Sequence, residues 1–178
     1  MAIGEAKLNA ILQLLGTGSV PSASTRFAGG IGYRVNRDAA ADPQNVWQSL
    51  FTIAGGLIAI TGLIGVRTVI QAGGASTMQF RHSVGPTVLD AGTLAVTAQD
   101  VGTIYVLTGD TTDPIVAGAA GVAVMGGKLV ATSTTYGSVP LFIVGAGTID
   151  VTMTAAAGTG STRYILTYIP LDDGVTVV

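Results

Sequence analysis

Apolar and polar positions alternate with a period of two through much of the C-terminal half of the chain. In TIDVTMT (148–154), Ile149, Val151 and Met153 fall on one face and Thr148, Asp150, Thr152 and Thr154 on the other. TRYILTYI (162–169) puts Tyr164, Leu166 and Tyr168 together. This is the period of a strand with one face on a core. TLAVTA (93–98) and GTIYVLTG (102–109) are rich in β-branched residues and bounded by Gly or Asp. GVAVMGGKLVATS (121–133) reads as two short strands around Gly126-Gly127, a hairpin signal. VPLFIVGAGTIDV (139–151) repeats the idea, with Gly145-Ala146-Gly147 as the turn. Short strands recurring every 8–12 residues or so, with glycine between them, predict an all-β fold. The expected form is a jelly-roll-like sandwich or barrel of about 8–10 short strands, spanning residues 47–178.

The N-terminal part has a different pattern. Over residues 3–15, Leu8, Ile11, Leu12 and Leu15 follow the i, i+3, i+4, i+7 spacing of an amphipathic helix. Gly16 and Gly18 supply a stop. One short helix is not stable alone in water, so its stripe has to dock, on its own sheet or on a neighbouring molecule. Residues 17–46 show no sustained period; small residues, Gly, Pro and the arginines Arg26, Arg34 and Arg37 dominate. This stretch reads as an extended arm, with a turn at Asp42-Pro43. Residues 1–46 are thus expected to form a helix and arm, ahead of the β-domain.

LFTIAGGLIAITGLIGV (50–66) carries no charge. A membrane-spanning helix takes about 20 apolar residues, and this run approaches the lower limit. Gly55-Gly56 divides it into two pieces of strand length, and RTVIQA continues it in β-branched residues past Arg67. Two buried strands, or one bulged strand, are therefore expected in place of a span.

Composition adds one strong constraint. Charged residues make up 10% of the chain, against about 25% in an ordinary soluble domain. A monomer normally wets its surface with Lys and Glu; a chain this poor in charge is expected to bury much of its surface against other subunits. The net charge of −2 gives no general attraction for nucleic acid. Its distribution is uneven, with net +3 over residues 1–81 and net −5 over 82–178, which would suit head-to-tail contacts between copies. No secretory signal is read in MAIGEAKLNAILQLLG, where Glu5 and Lys7 interrupt the apolar pattern.

Candidate chemistry is sparse. Without cysteine there are no disulfides, zinc thiolates or cysteine nucleophiles. His82 is the single histidine, and no G-x-S-x-G elbow accompanies it, so it reads as a surface or packed residue. Neither phosphate-binding glycine pattern occurs. DTTD (110–113) and Asp172-Asp173 are the close carboxylates, and neither has the spacing of a calcium loop. No catalytic, cofactor-binding or metal site is expected, and the chain is read as a non-enzyme. The residues expected to dock partners are Leu8, Ile11, Leu12 and Leu15 on the helix stripe, with Arg26, Arg34 and Arg37 on the arm.

LFTIAGGLIAITGLIGVRTVIQA (50–72), followed by GTIYVLTGD (102–110), resembles small virion structural proteins of tailed bacteriophages. The matching stretches are patterns of strands and glycines covering a small part of the chain, and no functional residue carries across. The resemblance implies a Thr- and Gly-rich β-domain behind a short N-terminal segment, acting on the capsid surface as a decoration or cement protein. The partners it implies are further copies of the chain, expected as a trimer, and the major capsid protein, with no nucleic acid, membrane or cofactor. A tail, vertex or fibre component of the virion, or a membrane-anchored or cell-surface binding module, is the alternative.

Overall fold

A computed structural model describes residues 25–26, 32–71, 75–109, 111, 115–118, 142–154 and 160–178. These form thirteen strands: β1 (Thr25–Arg26), β2 (Tyr33–Ala41), β3 (Gln48–Ala54), β4 (Ile58–Val69), β5 (Thr77–His82), β6 (Thr87–Val88), β7 (Leu94–Ala95), β8 (Ile104–Val106), β9 (Val116–Gly118), β10 (Phe142–Val144), β11 (Gly147–Met153), β12 (Ser161–Pro170) and β13 (Thr176–Val177). Eleven of them, β3 to β13, fall within 47–178, against the expected 8–10; β6, β7 and β13 are two-residue ladders. The expected helix over 3–15 and the hairpin around Gly126-Gly127 lie outside the described residues.

The strands make two antiparallel sheets. Sheet A has seven, in the order β1-β2-β12-β4-β8-β9, with β10 also on β4. Sheet B has six, in the order β13-β3-β11-β5-β6, with β7 also on β5. One apolar core draws on both, including Val35, Ile60, Leu63, Tyr164 and Leu166 from sheet A and Phe51, Ile53, Phe80, Ile149 and Val151 from sheet B. Phe80 meets Tyr164 edge-on across the gap, ring centroids 6.0 Å apart.

The uncharged run divides as its glycines suggest. Leu50 to Ala54 lie in β3 and Ile58 to Val66 in β4, which belong to different sheets. Gly55 (φ 87°) and Gly56 (φ 153°) make the change of direction in backbone conformations that side chains disfavour. Asp172 secures the corner: its Oδ2 accepts from the Leu57 N–H at 2.7 Å. No helix among the described residues is long and apolar enough to cross a membrane.

Two readings need correction. Gly145-Ala146-Gly147 does not turn a hairpin: β10 pairs with β4 in sheet A, whereas β11 pairs with β3 and β5 in sheet B. The glycine signal marks a sharp corner, and partner choice is then decided by which neighbours complete each sheet. Nor does all of 17–46 stand ahead of the β-domain as an extended arm. Tyr33–Ala41 is β2, which pairs with β12 over most of its length. Tyr33 stacks on Tyr168 at 5.6 Å. The period was hidden because β2 buries little besides Val35, the rest of the strand being exposed or half-buried.

Alternation in β12 is as expected: Thr162, Tyr164, Leu166 and Tyr168 are buried while the residues between them are not. In β11 the inner positions Ile149, Val151 and Met153 are fully buried, and Asp150 and Thr152 on the outer face are buried too. Leu166→Ala should therefore cost about 2–5 kcal/mol. The neighbouring Ile165→Ala, on the outer face, should cost about 1 kcal/mol. Urea unfolding of both variants checks this; equal losses would mean the assignment of faces is wrong.

Candidate functional site

Directly opposed residues in an antiparallel pair share a face, so the registers map what each sheet turns outward. The outer face of sheet B is polar at its centre. Across it run Val178–Thr52–Thr148, Ser49–Asp150–Arg81–Val88 and Thr152–Gln79, with the apolar Val178 and Val88 exposed at the two edges. Its groups satisfy one another. Asp150 accepts from the Thr148 hydroxyl at 2.6 Å, from the Ser49 hydroxyl at 3.0 Å and from Arg81 Nε at 3.0 Å. The Arg81 guanidinium lies over the Trp47 ring at 4.2 Å. The Thr77 and Thr154 hydroxyls are 2.8 Å apart.

The outer face of sheet A has the opposite character. Its rows across the sheet are Ile169–Ala59–Ile143, Ile165–Ile64–Val106 and Arg163–Val66–Ile104. One more row extends it where the Leu171 N–H donates to the Leu57 carbonyl at 2.9 Å. Ile143 is 62% exposed, Leu171 48% and Leu57 44%. Ile169, Ile165, Ile64, Val66 and Ile104 are half-buried. Polar side chains on this face are Thr61 and Thr167, whose hydroxyls bond to each other at 2.9 Å, Thr68, Arg163, and Arg34, Asn36 and Asp38 along β2. A solvated sheet face normally carries polar residues at these positions. The signal was present in the sequence: the segment Leu57 to Val66 is apolar at both odd and even positions.

The expected docking residues are not gathered at one place. Leu8, Ile11, Leu12 and Leu15 lie outside the described residues. Arg26 is in β1. Arg34 is exposed on the outer face of sheet A, opposite Thr167. Arg37 is committed elsewhere: its Nη1 donates to the Leu50 carbonyl of β3 at 2.9 Å, closing the seam between the sheets. His82 is buried, on the packed side of its expectation.

The densest cluster of charge is internal. Arg67, on β4, pairs with Asp42 through Nη1. The same nitrogen donates to Thr162 Oγ1 at 3.1 Å, Nε to the Tyr105 hydroxyl at 3.2 Å and Nη2 to the Val96 carbonyl at 3.3 Å. Thr162 in turn donates to Asp42 Oδ1 at 2.8 Å. Burial pushes the Asp42 carboxyl above its ordinary value, against the opposing pull of Arg67 and Thr162. Burial likewise raises the Tyr105 and Tyr164 phenols, which stay neutral. Asp42, Arg67, Tyr105 and Thr162 are all buried, so the cluster is closed to a substrate. Asp90 is a second buried carboxylate. It accepts from the Phe80 N–H at 2.9 Å and the Gly92 N–H at 2.7 Å, and burial pushes its pKa up to about 6. Among the described residues no group of three or more His, Asp or Glu could hold a metal ion.

No protein-family model matches the chain, and no curated protein or solved structure matches it significantly. The surface chemistry therefore has to carry the functional reading.

Two measurements check the electrostatics. Asp42→Ala leaves Arg67 buried without its counter-charge and should cost about 3–5 kcal/mol, whereas the paired replacement Asp42→Leu with Arg67→Met should recover much of that loss. A carboxyl whose pKa is higher folded than unfolded favours the folded state below its unfolded pKa, and that contribution disappears as pH rises through the folded pKa. With Asp90 at about 6 when folded and 3.8 when unfolded, the protein should be about 1 kcal/mol more stable at pH 5 than at pH 7. Asp90→Asn should flatten this slope in urea titrations at the two pH values; an unchanged slope would assign it to another group.

Proposed function

We propose that this chain is a non-enzymatic structural protein of a phage virion. In this reading it decorates or cements the head shell through contacts with further copies of itself and with the major capsid protein. The observation that carries the assembly part is the contrast between the two outer faces. Sheet B ends in a self-satisfied polar layer around Asp150, while sheet A presents Leu57, Ile143 and Leu171 to solvent. Exposed apolar area of this kind marks an interaction surface. Covering it contributes about 25 cal/mol per Å² before association costs. The low charge of the chain fits the same picture, since a subunit embedded in a lattice has less surface to keep wet. The virion assignment rests on the strand and glycine pattern of 50–72 and 102–110, and the jelly-roll-like form and trimeric state belong with it.

A tail, vertex or fibre role would use the same surface and differ in copy number. The membrane-anchored alternative loses its main motive, because Leu50 to Val66 forms strands of two different sheets.

The purified protein should sediment as an oligomer, with a trimer expected. Ile143→Asp should shift it toward monomer with its circular dichroism unchanged. Quantitative mass spectrometry of purified virions should give one copy per shell subunit or a simple fraction of it. A few copies per particle would move the protein to a vertex or the tail, and absence from the particle would end the virion reading.

A further inference from the structure

The outer face of sheet A and the N-terminal stripe both offer apolar side chains. The face is apolar and lies around β4 and its neighbours β10 and β12; the stripe is Leu8, Ile11, Leu12 and Leu15. We propose that the stripe of one copy seats on the outer face of sheet A of a second copy, over Leu57, Ile143 and Leu171. The inference rests on the self-association reading above and names the contact that performs it.

Three observations lead to this occupant. The first is size. A helical stripe from Leu8 to Leu15 is about 10 Å long at 1.5 Å per residue. The apolar face extends from the Leu57 row to the Ile64 row, about 20 Å at strand rise. The stripe fits within it, and a helix laid on a sheet is a standard way to cover an apolar face.

The second is need. An amphipathic segment this short gains its stability from the surface it covers. Ile143, Leu171 and Leu57 are exposed apolar side chains that meet at one corner. Ile143 is opposite Ala59, Ala59 is opposite Ile169, and Leu171 is bonded to Leu57.

The third is direction, and it favours a second copy over the same chain. β1 pairs Thr25 with Arg34 and Arg26 with Tyr33. Traced backward from Thr25, the strand therefore points along β2 toward Ala41. The apolar corner lies at the other end of the sheet, beyond the row where Tyr33 meets Tyr168 and Tyr168 meets Ile60. Thr25 and the corner of its own chain are thus at opposite ends of the sheet, with β2 and β12 between them.

The chain has no cysteine, so single-cysteine variants report contacts cleanly. Leu12→Cys protein carrying a size tag would be mixed with untagged Ile143→Cys protein, oxidised mildly and resolved without reductant. A parallel mixture would replace the second partner by Thr52→Cys, exposed on the outer face of sheet B. The expected result is a mixed-size covalent dimer between 12 and 143, at least fivefold more abundant than the 12–52 product. Deleting residues 1–24 should reduce oligomer formation to the level of Ile143→Asp. Equal yields of the two products would overturn the proposal. So would a link within one chain in the Leu12→Cys, Ile143→Cys double variant with none between chains, which would place the stripe in cis. Circular dichroism of each variant confirms that it is folded. The readout uses purified protein alone, so it is independent of whether the protein is found in virions.

Discussion

Arg67 carries a charge into the interior at the far end of the longest strand, and the neighbouring strands are arranged to receive it. Asp42 closes β2, Thr162 opens β12, Tyr105 sits in β8, and the Val96 carbonyl follows β7 of the opposite sheet. One guanidinium thus touches four strands' worth of register. A buried ion pair of this kind is weak evidence of net stability, since apolar residues of similar volume would serve as well. Its effect is on alternatives. A slip of one residue in β4 would turn Arg67 to the other face and leave Asp42 buried alone. Gly160 is part of the same arrangement, because a Cβ there would run into the Asp42 carboxylate and come within 2.8 Å of Gln71 Cβ.

With that register fixed, the two outer faces follow, and they divide the labour of the surface. The polar layer on sheet B consumes its own hydrogen-bonding capacity, so little is left over for a specific partner. The outer face of sheet A keeps its charged groups on β2 and at Arg163, and is apolar at the corner of Leu57, Ile143 and Leu171.

How much of this was legible in the sequence depended on how local the cause was. The alternation of β11 and β12 and the break at Gly55-Gly56 are written in adjacent residues, and the structure follows them. Strand β2 was not legible, because an edge-proximal strand with one well-buried residue shows no period. The pairing partners of β10 and β11 were not legible either: glycine says that the chain bends, and only the whole sheet says toward what. Arg67 and Asp42 stand 25 positions apart with nothing between them to announce the pair. The apolar corner of sheet A was half visible. An apolar run on both faces of a strand was correctly read as buried strand, but the second face has no cover from sheet B, and sequence alone does not say which side is left open.

The order of the strands also sets a timetable. β12 lies between β2 and β4 in sheet A, and β11 lies between β3 and β5 in sheet B. Both central strands come from the last part of the chain. Until they leave the ribosome, β2 and β4 have no common partner, nor do β3 and β5, and their apolar residues wait uncovered. Folding is therefore a late, concerted event dominated by contacts between distant residues, the regime in which two-state β-proteins fold on the scale of milliseconds to seconds. Once closed, each sheet is locked by a strand that cannot leave without breaking the pairing on both of its sides.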